Sequence, residues 1–142
     1  MYKRIMVPTD ASEYSRRAFV TALELARKFQ AKVVLLVVTY TPEAYWDYNP
    51  AYTIEITKEQ IEETGEHTLL ATLEGIDVGD VPLKKKKIQG HPSTVILEEI
   101  SNENIDLVVM GSHGYGPIAG AVLGSVSQRV LRKSTCPVLI VK

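Results

Sequence analysis

Residues 105–125, IDLVVMGSHGYGPIAGAVLGS, decide how the rest of the chain is read. Ile105, Leu107, Val108, Val109 and Met110 make an apolar run of strand length broken only by Asp106, the pattern of a strand covered on both faces. Such a strand belongs inside a sheet. It runs into Gly111-Ser112-His113-Gly114, where backbone without side chains can turn sharply and let a ligand approach its N–H groups. Gly124-Ser125 follows after a spacer from Tyr115 to Leu123. Ser125-Val126-Ser127-Gln128 has the form of a capping box, which predicts a helix from Ser125 through Val130 and Leu131 to about Lys133. Arg129, Arg132 and Lys133 then lie toward its negative end. The glycine turn and the helix start supply two sets of N–H donors, enough to hold a string of phosphates without a lysine. The alternative is that these glycines only punctuate turns; the order strand, glycines, helix cap favours the anion site.

Toward the N-terminus, Ile5-Met6-Val7 reads as a short buried strand stopped by Pro8. Thr9-Asp10-Ala11-Ser12-Glu13 supplies N-cap chemistry, and Ala18, Phe19, Ala22, Leu23, Leu25, Ala26 and Phe29 recur at helical spacing. Val33 to Val38 is a second apolar strand, and a helix between two buried strands implies a right-handed parallel crossover. The segment Tyr40 to Tyr52 mixes five aromatics with Pro42 and Pro50; it reads either as a lid or contact surface or as a satellite cluster packed over the domain. A helix resumes near Thr57, with Ile61, Leu69, Leu70 and Leu73 inward and Glu59, Glu62, Glu63 and Glu66 outward, and ends at Gly75 and Gly79.

Val81 to Gln89 carries Pro82 and four consecutive lysines, which suits an edge strand protected against pairing with other chains. Nucleic-acid binding is the sharper alternative for such a run, but no aromatic platform accompanies it. Pro92 starts a short helix with Val95, Ile96, Leu97 and Ile100 inward. The final strand, Val138-Leu139-Ile140-Val141, has no charge until Lys142. At a sheet edge it would expose unpaired backbone together with apolar side chains, and so predicts a partner.

Five strands alternating with four helices define a doubly wound, parallel α/β sheet of Rossmann-like type. At 142 residues, 45% hydrophobic and 23% charged, the chain is expected to form one soluble domain over residues 1–142. No membrane span or signal peptide is read, and the expected location is the cytoplasm. A net charge of -1 gives no general attraction to nucleic acid or to an anionic membrane. Cys136 stands alone, and the sequence reads it as a small buried residue rather than a nucleophile or part of a metal cluster.

With VPTDASEYS at the start and STCPVLIVK at the end, the spacing Gly111-x2-Gly114-x9-Gly124-Ser125 resembles the ATP-binding branch of the universal stress protein family, from Tyr2 to Val141. The resemblance implies the strand order 3-2-1-4-5, an adenine nucleotide (ATP, ADP or AMP) as ligand, and a homodimer formed by pairing Val138, Leu139, Ile140 and Val141 antiparallel with its copy. In a sheet of that order a ligand lies beyond the strand ends between strands one and four, which brings Pro8, Thr9 and Asp10 beside Gly111, Ser112, His113 and Gly114. The resemblance also implies that Asp10 and the backbone at Val38 contact the nucleoside, and that Gly111, Gly114, Gly124 and Ser125 hold phosphates. Val126 can add an N–H there.

The residues leave two roles open for Asp10, a ligand contact or a cap for the first helix. His113 either reaches a phosphate and moves protons or contributes only backbone. Tyr115 stands where many members carry a basic or small polar residue, so Mg²⁺ riding on the phosphates would offset their charge. No Walker lysine or site arginine is evident, and no catalytic or metal-ligating residue is assigned. The reading is therefore a nucleotide-dependent regulatory switch with at most slow hydrolysis. A hydrolase or nucleotidyltransferase on the same fold is the rival. A phospho-accepting receiver would need an acid where the third strand ends in Gln89-Gly90, and a flavodoxin-like carrier would need a different first loop than VPTDASE.

Overall fold

In the computed structural model, which describes residues 1–39, 58–114 and 123–142, strands and helices alternate along the chain. They are β1 (Arg4–Pro8), α1 (Glu13–Phe29), β2 (Lys32–Thr39), α2 (Lys58–Leu73), β3 (Leu83–Gln89), α3 (Pro92–Asn102), β4 (Leu107–Gly111), α4 (Ser125–Lys133) and β5 (Val138–Val141). The strands form one parallel sheet in the order β3-β2-β1-β4-β5, the doubly wound order that the family resemblance implied. The aromatic segment 40–52, Thr57 and Tyr115 lie outside the described residues.

Strand periodicity sorts the core into two layers. Val138, Val108, Met6, Val34 and Lys84 are successive register partners across all five strands. On their face, Met6, Val34, Leu36, Val108 and Met110 pack against Val95, Ile96 and Ile100 of α3 and Val130 of α4. On the other face, Ile5, Val7, Val33, Leu35, Val37 and Val109 meet Ala18, Phe19, Ala22 and Leu23 of α1 and Leu69 of α2. Each fully buried aliphatic side chain contributes about 1.5–3 kcal/mol, so these rows fix the register.

Ser12 caps α1, its Oγ accepting from Ser15 N–H, and Gln30 closes the helix in the left-handed region at φ 55. Two arginines of α1 then catch the chain leaving α2. Arg16 donates to the carbonyls of Thr72 and Glu74, and Arg27 to those of Asp77 and Val78. Guanidinium groups suit a helix C-terminus because its last carbonyls lack intrahelical partners.

Three expectations change. Leu70 is 56% exposed; the inward stripe of α2 runs Ile61, Gly65, Leu69 and Thr72, one position away. Cys136 is half-buried, at the margin of the α3 and α4 layer. The lysines of β3 do lie on an edge, but three of the four are paired. Lys84 and Lys86 bond Glu103, Lys86 also bonds Glu99, and Lys87 bonds Glu66. Arg4 makes a third cation on Glu103 at 2.9 Å. Hydrogen bonds from Lys84 and then Lys86 pull the Glu103 carboxyl down to about 2. The Glu99 and Glu103 carboxylates raise Lys86. No helix among the described residues is long and apolar enough to cross a membrane.

Candidate functional site

β1 and β4 lie side by side at the centre of the sheet, with the chain's order reversing between them, so their carboxyl ends open onto one crevice. Pro8 closes β1 opposite Leu36, and the next N–H, of Thr9, donates to the Leu36 carbonyl at 2.9 Å. The chain then bends back on its own side chains. Ala11 N–H donates to Thr9 Oγ1 at 3.0 Å and Ser12 N–H to Asp10 Oδ1 at 2.9 Å, which holds Ala11 in the left-handed region at φ 65. Ser15 Oγ donates to Asp10 Oδ1 as well, at 3.1 Å. Asp10 therefore supports the first turn of α1, while the cap itself is Ser12.

Gly111 ends β4 buried against α1: a Cβ there would lie 2.7 Å from Tyr14 Cβ and 2.8 Å from the Tyr14 carbonyl carbon. Its lack of a side chain serves packing of α1 on the strand. Gly114 differs, since a Cβ there would lie 2.3 Å from Asp10 Oδ2. The glycine turn and the Asp10 carboxylate thus meet across the crevice, as their placement at the two strand ends requires.

Between the glycines, Ser112 acts as a clamp. Its N–H donates to Val141 O at 2.9 Å, and its carbonyl accepts from Gly124 N–H at 2.7 Å and from Ser127 Oγ at 2.9 Å. The start of α4 is pinned to the end of β4 in this way. The N-cap is Gly124, not Ser125: Ser125 is already helical, no side chain caps the helix, and Gln128 N–H donates to the Gly124 carbonyl, so the Ser125–Gln128 capping box does not form, while Ser127 Oγ turns to the Ser112 carbonyl. The Gly124 N–H is engaged in this clamp. Ser125 and Val126, in the first turn of α4, present N–H groups that helix geometry leaves without intrahelical acceptors.

His113 Nδ1 lies 3.0 Å from Ser112 Oγ, and its ring packs against Tyr14 at 5.4 Å between centroids. The Arg17 guanidinium sits 5.1 Å over the same Tyr14 ring. Val38, near the end of β2, is half-buried against the α3 side of the core. Thr9 keeps its hydroxyl inside the fold, 2.8 Å from Thr72 Oγ1 and 3.0 Å from Ser15 Oγ, where it also accepts from Ala11 N–H. Sequence reasoning missed Tyr14, Ser15, Arg17, Thr72 and Ser127. Tyr14 and Arg17, three apart at the start of α1, carried a readable signal; Thr72 carried none.

The Universal stress protein family model matches residues 1–142. The chain belongs to that family. Universal stress protein MJ0531 of Methanocaldococcus jannaschii is 32% identical over 149 residues, covering all of this chain and 83% of that protein. Among solved structures, a universal stress protein in complex with cAMP superposes with a TM-score of 0.70 at 25% identity, covering 99% of this chain and 97% of the other. A family member from Arabidopsis thaliana with AMP bound gives 0.65 at 25% identity, covering 99% and 91%.

Within the universal stress protein fold, the crevice pairs an acceptor with donors. The Asp10 carboxylate suits hydroxyl or amine donors, and the positive end of α4 suits an anion. No group of three or more His, Cys, Asp or Glu side chains comes together among the described residues.

Proposed function

We propose that this chain is a regulatory protein that holds an adenine nucleotide, ATP or AMP, in the crevice between β1 and β4 and changes its partner contacts with occupancy. The observation that carries the reading is the approach of Gly114 to the Asp10 carboxylate, with the first turn of α4 clamped alongside through Ser112. In this reading Asp10 accepts from the ribose hydroxyls and the backbone at Val38 meets the base. The N–H groups of Gly114, Ser125 and Val126 hold phosphates, with the Ser125 hydroxyl and the His113 ring beside them. Pro8, Thr9, Gly111 and Ser112 shape the walls. Mg²⁺ rides on the phosphates. The cAMP and AMP found in family members support a nucleotide of this class.

The same reading makes β5 a dimer edge, places the protein in the cytoplasm, and assigns at most slow ATP hydrolysis, since the glycine turn from Gly111 to Gly114 carries no lysine to meet a transferring phosphate. The test is to purify the protein without added nucleotide, denature it, and identify what is released by mass spectrometry. About one adenine nucleotide per chain is expected, a one-site occupancy. A protein that is empty and also fails to bind millimolar Mg-ATP overturns the reading. Turnover above about 1 per second would make it an enzyme instead.

A further inference from the structure

Three buried hydroxyls form an unbroken line from α2 to the exposed Asp10 carboxylate at the crevice. Thr72 Oγ1 lies 2.8 Å from Thr9 Oγ1, Thr9 Oγ1 donates to Ser15 Oγ at 3.0 Å, and Ser15 Oγ donates to Asp10 Oδ1 at 3.1 Å. Thr72 is wholly buried, and Thr9 and Ser15 nearly so. Thr72 stands in the same inward stripe as Ile61 and Leu69, where a valine would fill the same volume without a polar atom. Its hydroxyl already reaches its own helix, at 2.7 Å from Thr68 O, so the contact to Thr9 is not needed to satisfy it.

We propose that Thr72 is a positioning residue for the Asp10 carboxylate, acting through Thr9 and Ser15. The inference rests on the proposed nucleotide site and deepens it by naming what orients its acceptor. The physical reason is the direction of the protons. Each hydroxyl has one hydrogen: a negative carboxylate at one end draws the Ser15 hydrogen from Ser12 O, 3.0 Å away, toward Asp10 Oδ1, and the Thr9 hydrogen toward Ser15, which leaves the Thr72 hydrogen shared between Thr68 O and Thr9 Oγ1. Thr9 Oγ1 also accepts from Ala11 N–H, so the line holds the left-handed turn from which Asp10 projects. Removing the first hydroxyl takes away the donor that polarises Thr9 Oγ1, so the bonds from Thr9 to Ser15 and from Ser15 to Asp10 weaken in turn. Asp10 Oδ1 is then held less firmly on Ser12 N–H and Ser15 Oγ, and Oδ2 is less well aimed across Gly114.

The test compares Thr72→Val with Thr72→Ser in two readouts. In the nucleotide-free protein, ¹⁵N spectra follow the Ser12 amide, whose hydrogen is bonded to Asp10 Oδ1; it should shift in Thr72→Val and stay in Thr72→Ser. In titrations, Thr72→Val should weaken ATP about five- to tenfold, the size expected for one lost hydrogen bond, with tripolyphosphate binding unchanged and Thr72→Ser close to wild type. In an Asp10→Ala background, which removes the acceptor at the end of the line, the same substitution should cost no further affinity. An unmoved Ser12 amide, or an equal loss in both backgrounds, overturns the proposal and leaves Thr72 a packing residue. A wild-type protein that binds no ATP while the Ser12 amide still responds would remove the nucleotide site and leave the line of hydroxyls standing. Should Thr72→Val not fold, Thr72→Ala against Thr72→Ser reads the same difference.

Discussion

A methyl group on Gly111 would meet Tyr14 at 2.7 Å from its Cβ and 2.8 Å from its carbonyl carbon, and neither atom can move without displacing α1. Gly111→Ala should therefore cost about 1–3 kcal/mol in denaturant unfolding, the range for forced overpacking, whether or not a nucleotide is present. Gly124 lies at the opposite extreme. Its φ of -71 and ψ of 165 suit any residue, and a Cβ there meets nothing closer than 3.5 Å. Aspartate is moreover a good N-cap, so Gly124→Asp should keep stability within a few tenths of a kcal/mol or raise it. It should nonetheless abolish nucleotide binding, because it sets a carboxylate where phosphates are proposed to lie. Unfolding midpoints and retained nucleotide, measured on both variants, separate the two roles. The sequence presents these glycines as one motif, since spacing carries no information about what stands against each Cα. The helix that confines Gly111 begins almost a hundred residues earlier in the chain.

The β3 strand and the end of α3 are joined by charge. Glu103 accepts from Lys84 at 2.8 Å and Lys86 at 2.9 Å, with Arg4 on its other oxygen, and its side chain is only 7% exposed. Its carboxyl falls from 4.5 in the unfolded chain to about 2 in the fold, so it binds fewer protons when folded at intermediate pH. Its stabilisation is complete above the unfolded value and is lost as pH falls through the folded one. A separation of that size corresponds to about 3 kcal/mol at most. Glu103→Gln should lower the urea midpoint at pH 7 and nearly match wild type at pH 2; an equal deficit at both would reject the charge-based account. The lysine run announced an edge by composition alone, and the edge is where it lies. Its partners were not legible. Whether Lys84 or Lys85 faces α3 depends on a one-residue register, and nothing local in a run of identical residues sets it.

At the scale of the molecule, the sheet has one edge studded with paired lysines and one, β5, with half-buried Val138, Ile140 and Val141 and a 39% exposed Leu139. The carbonyls of Pro137 and Val141 accept from Val108 and Ser112 of the β4 side, so alternation turns the backbone of Val138 and Ile140 outward. If β5 pairs with its copy, Ile140→Pro removes an outward donor without touching the β4 ladder and should convert a dimer to a monomer in sedimentation equilibrium. A dimer that survives the change would place the contact elsewhere. The alternation of strands and helices was legible because buried parallel strands read as unbroken apolar runs, Val33 to Val37 most plainly. The hydroxyl line was not, because serine and threonine look alike in solvent and in the core. The strands all point one way, so the sheet has two unlike rims. Arg4, Glu103 and Asp106 knit the rim where the strands begin, and Asp10, Gly114 and Ser125 stand at the rim where they end. A lineage can therefore adapt to a hotter or more acidic habitat through the first set and change what it senses through the second, with little interference between the two.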